Sequence, residues 1–175
     1  MEDALDQAYY ANALDSVSAA GSDFTLKRYL MTEIDHKNIV NIVRSIRQGI
    51  DQELIFQIMI PGGRSVSRDV LRSMAREKNP SSAVEILIKK SIGFDSRGLA
   101  EAVESTEGGT LDPLIQLLVK KRDALLYSMS HRSPVSVLPV VHYIESKTHE
   151  VQNLRLLVRG KAAGLSNDVI KEHMR

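Results

Sequence analysis

The sequence contains no cysteine and no tryptophan, and aromatic residues make up only 5% of it. The absence of cysteine excludes disulfide bridges and thiolate-bound zinc, and it is typical of a protein in a reducing compartment. Leu, Ile, Val and Ala dominate the apolar residues, which favours packing of helix on helix over a sheet-based core. We therefore expect an all-α protein, and 175 residues with a hydrophobic fraction of 43% are enough to bury a core.

An excess of charge of one sign is also missing. Twenty-three basic residues stand against 22 acidic ones, and the formal charge of +1 gives no whole-chain attraction to nucleic acid or to an anionic bilayer. Runs without a charged residue, such as 54–63 and 133–144, are shorter than the roughly 20 apolar residues of a membrane-spanning helix. The chain starts with acidic residues, where a secretory signal would be basic and then apolar. These absences predict a soluble, unexported cytoplasmic protein without direct membrane insertion.

Apolar residues at helical spacing, bounded by glycine, proline and capping residues, predict a series of helices. Their predicted bounds are 2–20, 24–48, 51–60, 67–78, a helix capped at Ser81 or Ser82, 99–103, 111–132 and 137–159. Glycines at 93, 98, 108 and 109 interrupt the pattern and indicate a connection between modules. The predicted organisation is therefore a first helical module at 1–92, a glycine-rich connection at 93–110 and a second helical module at 111–175.

An internal repeat organises the chain, with a shift of 115 residues that carries Asn38 onto Asn153. The first copy consists of Asp35, Asn38, Ile39, Ile42, Val43, Arg44 and Gly49, and the second of Glu150, Asn153, Leu154, Leu157, Val158, Arg159 and Gly164. The match continues into a following helix, where Ile55 falls on Ile170. One helix design is therefore used twice.

The repeated residues predict a structural role. At about 100° per residue, the acid, the Asn, the next two aliphatic residues and the glycine project within roughly 60° of one direction, and the arginine points the opposite way. Buried carboxylates and amides cost free energy unless they are hydrogen-bonded. We predict that each acid and Asn satisfies backbone groups where a neighbouring helix starts or breaks, and that the glycine caps the helix or permits close approach. Asp35, Asn38, Arg44 and Gly49, with Glu150, Asn153, Arg159 and Gly164, are therefore a structural motif without a catalytic role.

Several short motifs resemble one protein family in their order and spacing. They are Leu-Asp-Gln-Ala-Tyr-Tyr at 5–10, Glu-Ile-Asp-His-Lys-Asn at 33–38, Ile-Pro-Gly-Gly at 60–63, and Glu-Val-Gln-Asn-Leu-Arg at 150–155 followed by Gly160-Lys161. Over nearly the whole chain they resemble the C subunit of the archaeal and bacterial A-type or V-type ATP synthase, whose eukaryotic relative is the d subunit.

The resemblance implies a non-catalytic, funnel-shaped helical protein on the cytoplasmic end of a membrane rotor ring. Its implied partners are the rotor-ring proteolipid subunits and the central-stalk subunits, and it would transmit torque during ATP synthesis and proton or sodium ion transport. It would be a peripheral protein without a catalytic residue, a cofactor or a metal. Members of the family have three modules and about twice this length, so two motif copies imply two repeated helical modules that lack one of the three expected.

Two other features invite a chemical interpretation. His142, Glu145 and His149 lie on one side of a predicted helix, as metal ligands do, but their order is not His-Glu-x-x-His and a solvated polar face explains them better. Residues 61–65, Pro-Gly-Gly-Arg-Ser, resemble a phosphate loop, since glycine amides ahead of a helix bind anions. They lack the Gly-Lys-Ser/Thr ending and a preceding strand, so we expect a tight turn between helices.

Basic residues at 120–122, and at Arg155, Arg159 and Lys161, suggest nucleic-acid binding as an alternative. Acidic residues interleave both regions, and no aromatic stacking platform accompanies them. We therefore expect no nucleic-acid partner. A helical adaptor of another complex is the second alternative.

Overall fold

The computed structural model describes residues 2–19, 24–105 and 110–174. Within these ranges every regular element is a helix, and the prediction of an all-α fold is confirmed. The helices are α1 (Glu2–Ala19), α2 (Phe24–Arg47), α3 (Gln52–Ile58), α4 (Arg68–Ala75), α5 (Pro80–Lys90), α6 (Leu99–Glu104), α7 (Asp112–Arg132), α8 (Leu138–Ala162) and α9 (Asn167–Glu172). None of the described helices is long and apolar enough to cross a membrane.

The chain packs as two compact units, residues 1–122 and 123–175, and their boundary falls inside α7. The glycine pattern of the sequence predicts a connection between modules at 93–110, and that division stays a prediction. Helix α6 lies within that segment and buries Leu99 and Val103 in the core of the first unit. Gly108 and Gly109, on which that prediction also rested, lie outside the described residues.

Helix α2 is the centre of the first unit and contacts α1, α3, α4 and α5. One side of α2 faces a large apolar core shared with α4, α5, α6 and the first half of α7, and another side meets α1. Its buried apolar residues are Tyr29, Leu30, Ile34, Ile39, Ile42, Val43 and Ile46. Because neighbouring helices cover α2 on several sides, its buried residues are not confined to one apolar stripe. They include polar residues as well as aliphatic ones.

Side-chain caps fix the starts of the short helices. Asp51 accepts a hydrogen bond from the Glu53 N–H at the start of α3, and Ser67 accepts one from Val70 N–H at the start of α4. The predicted cap of α5 at Ser81 or Ser82 is wrong. Helix α5 begins at Pro80 with Asn79 as its cap, because proline suits the first helical position, where no N–H is needed.

The second unit contains the end of α7 and the helices α8 and α9. Helix α9 packs against the end of α8, where Ile170 is only 2% exposed. A Cβ atom on Gly160 would lie 2.8 Å from the Cγ1 of Ile170, so the contact depends on a residue without a side chain at position 160. Glycine at this point brings the two helices into close contact.

Candidate functional site

The two copies of the repeat end in the same backbone structure. Gly49 has φ of 66° and Gly164 has φ of 74°, both in the left-handed region that glycine adopts without strain. In the first copy Gly49 N–H donates to Ile46 O at 3.0 Å and Ile50 N–H to Ser45 O at 3.0 Å. The equivalent pairs of the second copy are Gly164 to Lys161 at 3.1 Å and Leu165 to Gly160 at 2.9 Å. Both helices therefore end with a Schellman motif. The glycines serve as caps and not as points of close approach between helices, because a Cβ on either would meet no atom within 4 Å.

The helix that follows each glycine is also capped at matching positions. Asp51 caps α3, and Ser166, which the shift of 115 residues pairs with Asp51, caps α9 by accepting from Val169 N–H. Each copy is thus a long helix, a left-handed glycine and a side-chain-capped short helix. Local sequence alone sets these features.

In the first copy, the Asp35 carboxylate binds three consecutive backbone amides. It accepts from Arg64 N–H at 3.0 Å, Ser65 N–H at 2.7 Å and Val66 N–H at 3.4 Å. Asp35 is fully buried, and a Cβ on Gly63 would collide with its Oδ1 atom, so glycine is required beside the carboxylate. Burial raises the pKa of Asp35, and the hydrogen bonds from these three amides oppose the rise.

Asn38, one turn further along α2, holds the beginning of the same backbone segment. Its Nδ2 donates to Ile60 O at 2.8 Å, and its Oδ1 accepts from Ile60 N–H at 2.8 Å. Asn38 is 1% exposed and Ile60 is 2% exposed. Residues 60–66, named here the glycine turn, are therefore fixed to α2 at both ends by two side chains of one helix face.

The arrangement explains the resemblance of residues 61–65 to a phosphate loop. Three successive N–H groups converge on one point, as they do around a bound anion. That point is occupied by the carboxylate of Asp35, which comes from the protein itself. The glycine turn therefore serves as an internal anchor.

The second copy presents the same residue types in a different environment. Leu154, Leu157 and Val158 are 55%, 39% and 66% exposed, whereas the equivalent residues of the first copy are fully buried. Glu150 is exposed and forms an ion pair with Lys147 at 2.6 Å, and Asn153 is half-buried. A groove of about 480 Å³ runs along this face and is lined by Ser146, His149, Glu150, Asn153, Leu154, Leu157 and Met174.

The repeated arginines, Arg44 and Arg159, are both exposed. The residues considered as metal ligands are directed elsewhere: His149 Nδ1 lies 3.4 Å from Asp123 Oδ2, and the His142 ring lies 5.6 Å from that of Tyr127. Within the described part of the chain, no three His, Asp or Glu side chains are grouped to hold a metal ion.

A set of polar contacts that binds the helices of the first unit together was not predicted from the sequence. Lys37 of α2 pairs with Asp6 of α1 at 2.7 Å, and Lys121 of α7 pairs with Asp95 at 2.8 Å. Hydrogen bonds from Arg97 and Lys121 hold the pKa of Asp95 well below its usual range. Helical spacing gives no signal for such pairs, because their members are 31 and 26 residues apart in sequence.

His36 was missed as well. Its Nδ1 is buried without a hydrogen-bond partner among the described residues, and its ring lies 5.8 Å from that of Phe94. Burial, with the nearby charges of Arg122 and Lys121, lowers the pKa of His36 to about 4, and Asp95 opposes this shift. His36 is therefore neutral in the folded protein at neutral pH.

Fold and site together define an all-helical protein in which side chains of one long helix hold a backbone turn. The chain belongs to the ATP synthase (C/AC39) subunit family, whose model matches residues 1–173. This confirms the resemblance found in the sequence motifs.

Individual relatives agree with the family match. The chain is similar to proteins named as the C subunit of A-type ATP synthase: it is 34% identical over 175 residues to that of Haloquadratum walsbyi and 30% identical over 176 residues to that of Methanococcoides burtonii. These alignments cover 98% and 99% of this chain and 48% of each relative. The chain thus spans about half the length of the curated relatives it matches. No solved structure matches it.

Proposed function

We propose that this chain is a non-catalytic central-stalk component of an A-type or V-type ATP synthase or ATPase. In this role it couples the membrane rotor ring to the central stalk during ATP synthesis and proton or sodium ion transport. The observation that carries the proposal is the family match over residues 1–173, together with relatives named as the C subunit of A-type ATP synthase. The proposed partners are the rotor-ring proteolipid subunits and the central-stalk subunits, and the proposed location is peripheral, at the cytoplasmic face of the membrane.

The packing of the first unit supports a mechanical role. A protein that transmits torque has to resist deformation, and close-packed helices deform little compared with long flexible connections. Side-chain contacts also join the elements: Asp35 and Asn38 fix the glycine turn, Lys37 joins α2 to α1, and Arg122 of α7 lies 3.5 Å from Glu33 of α2. These contacts oppose sliding of one helix along another.

The structure of the glycine turn also favours a structural role over nucleotide binding. The amides that would bind a phosphate already hold the Asp35 carboxylate. A nucleotide phosphate would have to displace a buried anion from its own hydrogen bonds. In the proposed complex, nucleotide is therefore bound by other proteins of the assembly.

Purification of the native complex tests the proposal directly. The chain, tagged at its natural locus, is isolated under mild conditions and its partners are identified by mass. We expect rotor-ring and central-stalk subunits in fixed proportion. The surface variant Lys89→Ala, tagged in the same way, serves as the control and should retain the same partners. Absence of the chain from an otherwise intact rotary complex contradicts the proposal.

A functional measurement distinguishes coupling from mere attachment. In membrane vesicles that lack the chain, ATP hydrolysis by the detached catalytic part should continue while ATP-driven ion transport is lost. Adding the purified chain back should restore transport. Ion transport that is unchanged without the chain overturns the coupling role.

A further inference from the structure

A cavity of about 430 Å³ lies in the first unit, where α1 ends and α2 begins. Of the described residues that line it, three are cations and none is an acid. The lining residues, which together are named here the basic cavity, are Ser18, Phe24, Lys27, Arg28, Met31 and Arg64. Since the whole chain has a formal charge of only +1, this concentration of positive charge is a local feature of the surface.

The cations of the basic cavity are poorly satisfied within the protein. Lys27 Nζ donates to Ser18 Oγ at 3.1 Å, which is a neutral partner. Arg28 Nε is buried and has no hydrogen-bond partner among the described residues. Arg64 donates its backbone N–H to Asp35, but that carboxylate already accepts three amides. A buried donor without an acceptor costs free energy, so the cavity is suited to an added hydrogen-bond acceptor.

The stability of α2 does not account for these cations. The dipole of a helix favours anions at its start and cations in its last turn. Helix α2 has Arg44 and Arg47 in its last turn, where the dipole favours them, and no acid in its first turn. Lys27 lies in that first turn and Arg28 directly follows it, so both are near the positive end of the dipole. Positive charge at this end of α2 therefore indicates a negatively charged partner.

We propose that the basic cavity binds an acidic side chain of a partner protein, on a segment that also carries an apolar side chain. The inference rests on the proposed function, because the partner is taken to be another subunit of the rotary complex. Phe24 is 72% exposed and lines the cavity with Met31. Aromatic residues, Met and Arg are enriched where proteins contact each other. The guanidinium groups of Arg28 and Arg64 suit a carboxylate, which guanidinium binds through two parallel hydrogen bonds.

A phospholipid headgroup is the competing anion, and the cavity fits it less well. Recognition of an anionic membrane surface by charge takes clusters of about four to eight Lys or Arg, and the basic cavity has three. Helices that lie on a membrane also present a broad apolar face. Here Lys27 and Arg28 are half-buried beside a single exposed aromatic residue, Phe24. A recessed site of this size favours one carboxylate over a lipid surface.

Reconstitution with neutralised variants tests the proposal. The full chain is added back to membrane vesicles that lack it, and the double variant Lys27→Gln with Arg64→Gln is compared with the wild type. Arg28 is kept, since its buried Nε would mix loss of packing with loss of charge. We expect at least about tenfold weaker binding of the double variant, with a melting temperature of the isolated chain that is unchanged or higher because like charges are removed. Lys89→Gln with Lys90→Gln removes the same charge from the exposed end of α5 and is the matched control, with unchanged binding.

A photoreactive benzophenone side chain in place of Phe24 identifies the occupant in the same vesicles. We expect a cross-link to a protein segment that has Asp or Glu within one helical turn, roughly four residues, of the linked position. The cross-link should be lost in the double variant. A cross-link to lipid overturns the proposal in favour of a headgroup. Binding of the wild type, but not of the double variant, to protein-free vesicles of anionic phospholipid does the same.

The remaining outcomes separate this proposal from the proposed function. Equal binding of the wild type and the double variant overturns the docking site and leaves the coupling role intact. A double variant with a clearly lower melting temperature shows that the cations stabilise the fold, which also overturns the docking site. Failure of the wild-type chain to bind the vesicles overturns the proposed function and this inference with it.

Discussion

Helices α2 and α8 end with the same left-handed glycine, the same hydrogen bonds and the same kind of capped short helix, yet their surroundings differ. In α2 the aliphatic residues Ile39, Ile42 and Val43 are fully buried, and in α8 their equivalents are 39% to 66% exposed. The local sequence therefore determines how each helix ends. Each helix has one side that carries apolar and polar residues together. Whether that side adds to the stability of the fold depends on a covering segment that is remote in sequence.

The comparison also separates two kinds of contribution to stability. Glycine and cap contributions are local and should be equal in the two copies. Buried apolar and polar contacts exist only where the face is covered, and burial of one large aliphatic side chain contributes about 1.5 to 3 kcal/mol. Matched substitutions in the two copies measure these contributions separately.

The largest difference is expected for the acids. Asp35→Ala leaves one buried and two part-buried backbone amides without an acceptor and should lower the free energy of unfolding of the first unit by about 4 kcal/mol, or prevent folding. Glu150→Ala removes an exposed ion pair and should cost less than about 0.5 kcal/mol. Urea unfolding followed by circular dichroism measures both. Equal losses for the two variants contradict the difference between the copies.

Truncation of an equivalent aliphatic residue should give the next largest effect. Ile42→Ala creates a cavity in a closed core and should destabilise the first unit by about 3 kcal/mol. Leu157→Ala removes a side chain that is 39% exposed, and we expect a loss below about 1 kcal/mol. Hydrogen exchange of the α2 and α8 amides reports each change in its own helix. A loss for Leu157→Ala above about 1 kcal/mol would show that this side of α8 is covered in the isolated chain.

Acid should weaken the first unit through His36, whose equivalent in the second copy is the non-ionisable Val151. The pKa of His36 is about 4 in the folded chain and near 6.5 when unfolded, so the unfolded state binds the extra proton between these values. The stability that the neutral ring provides is fully present above about pH 6.5. It is lost as the pH falls towards 4, by about 3 kcal/mol.

Unfolding of the wild type and of His36→Gln at a series of pH values isolates this effect. The stability difference between the two proteins should change over about pH 4 to 6.5 and stay constant above it. A difference that does not vary with pH would show that His36 titrates normally in the folded chain.

Replacement of the two repeated asparagines should have the next largest effect on stability. Asn38→Leu leaves the N–H and C=O of Ile60 buried without partners and should cost about 2 kcal/mol. Asn153→Leu, at a half-buried position, should cost clearly less in the isolated chain. Lys89→Ala, on an exposed surface, is the control and should leave the melting temperature unchanged. Equal melting temperatures for Asn38→Leu and Lys89→Ala contradict the anchoring role of Asn38.

The smallest effect should also be the same in both copies. Gly49→Ala and Gly164→Ala each place a Cβ on a left-handed residue with free space around it, so the cost is backbone strain of about 1 kcal/mol. Hydrogen exchange of the last turn of α2 and of α8 measures this cost locally. If the two losses differ by more than about 1 kcal/mol, the local equivalence of the copies is wrong.

Features that depend on nearby residues were predictable from the sequence. The all-α class, the end of α2 and the repeat follow from apolar spacing and from Gly49 and Gly164. The cap of α5 was misassigned because Ser81 and Ser82 are capping residue types as well as Asn79. Pro80 is the first residue of α5, which makes Asn79 the cap. The rule that proline suits the first helical position would have identified it.

Features that depend on tertiary contacts were not predictable. The partners of Asp35 lie 29 to 31 residues away, and periodicity on one helix does not reveal them. The paired glycines at 62 and 63 were the available signal, since a Cβ at 62 would lie 2.7 Å from Leu14 Cδ1 and one at 63 would collide with Asp35. The difference in burial between α2 and α8 has no signal in the motif itself, because the two copies keep the same residue types.

The most direct test compares thiol reactivity at one equivalent position of the two copies. Val43 and Val158 are both valine and are 0% and 66% exposed, so Val43→Cys and Val158→Cys are matched probes in a chain without any other cysteine. Under native conditions we predict that the thiol at 158 reacts nearly as fast as in the unfolded chain, and that the thiol at 43 reacts at least about a hundredfold more slowly. Similar rates at the two positions would contradict the claim that the first copy is closed and the second is open.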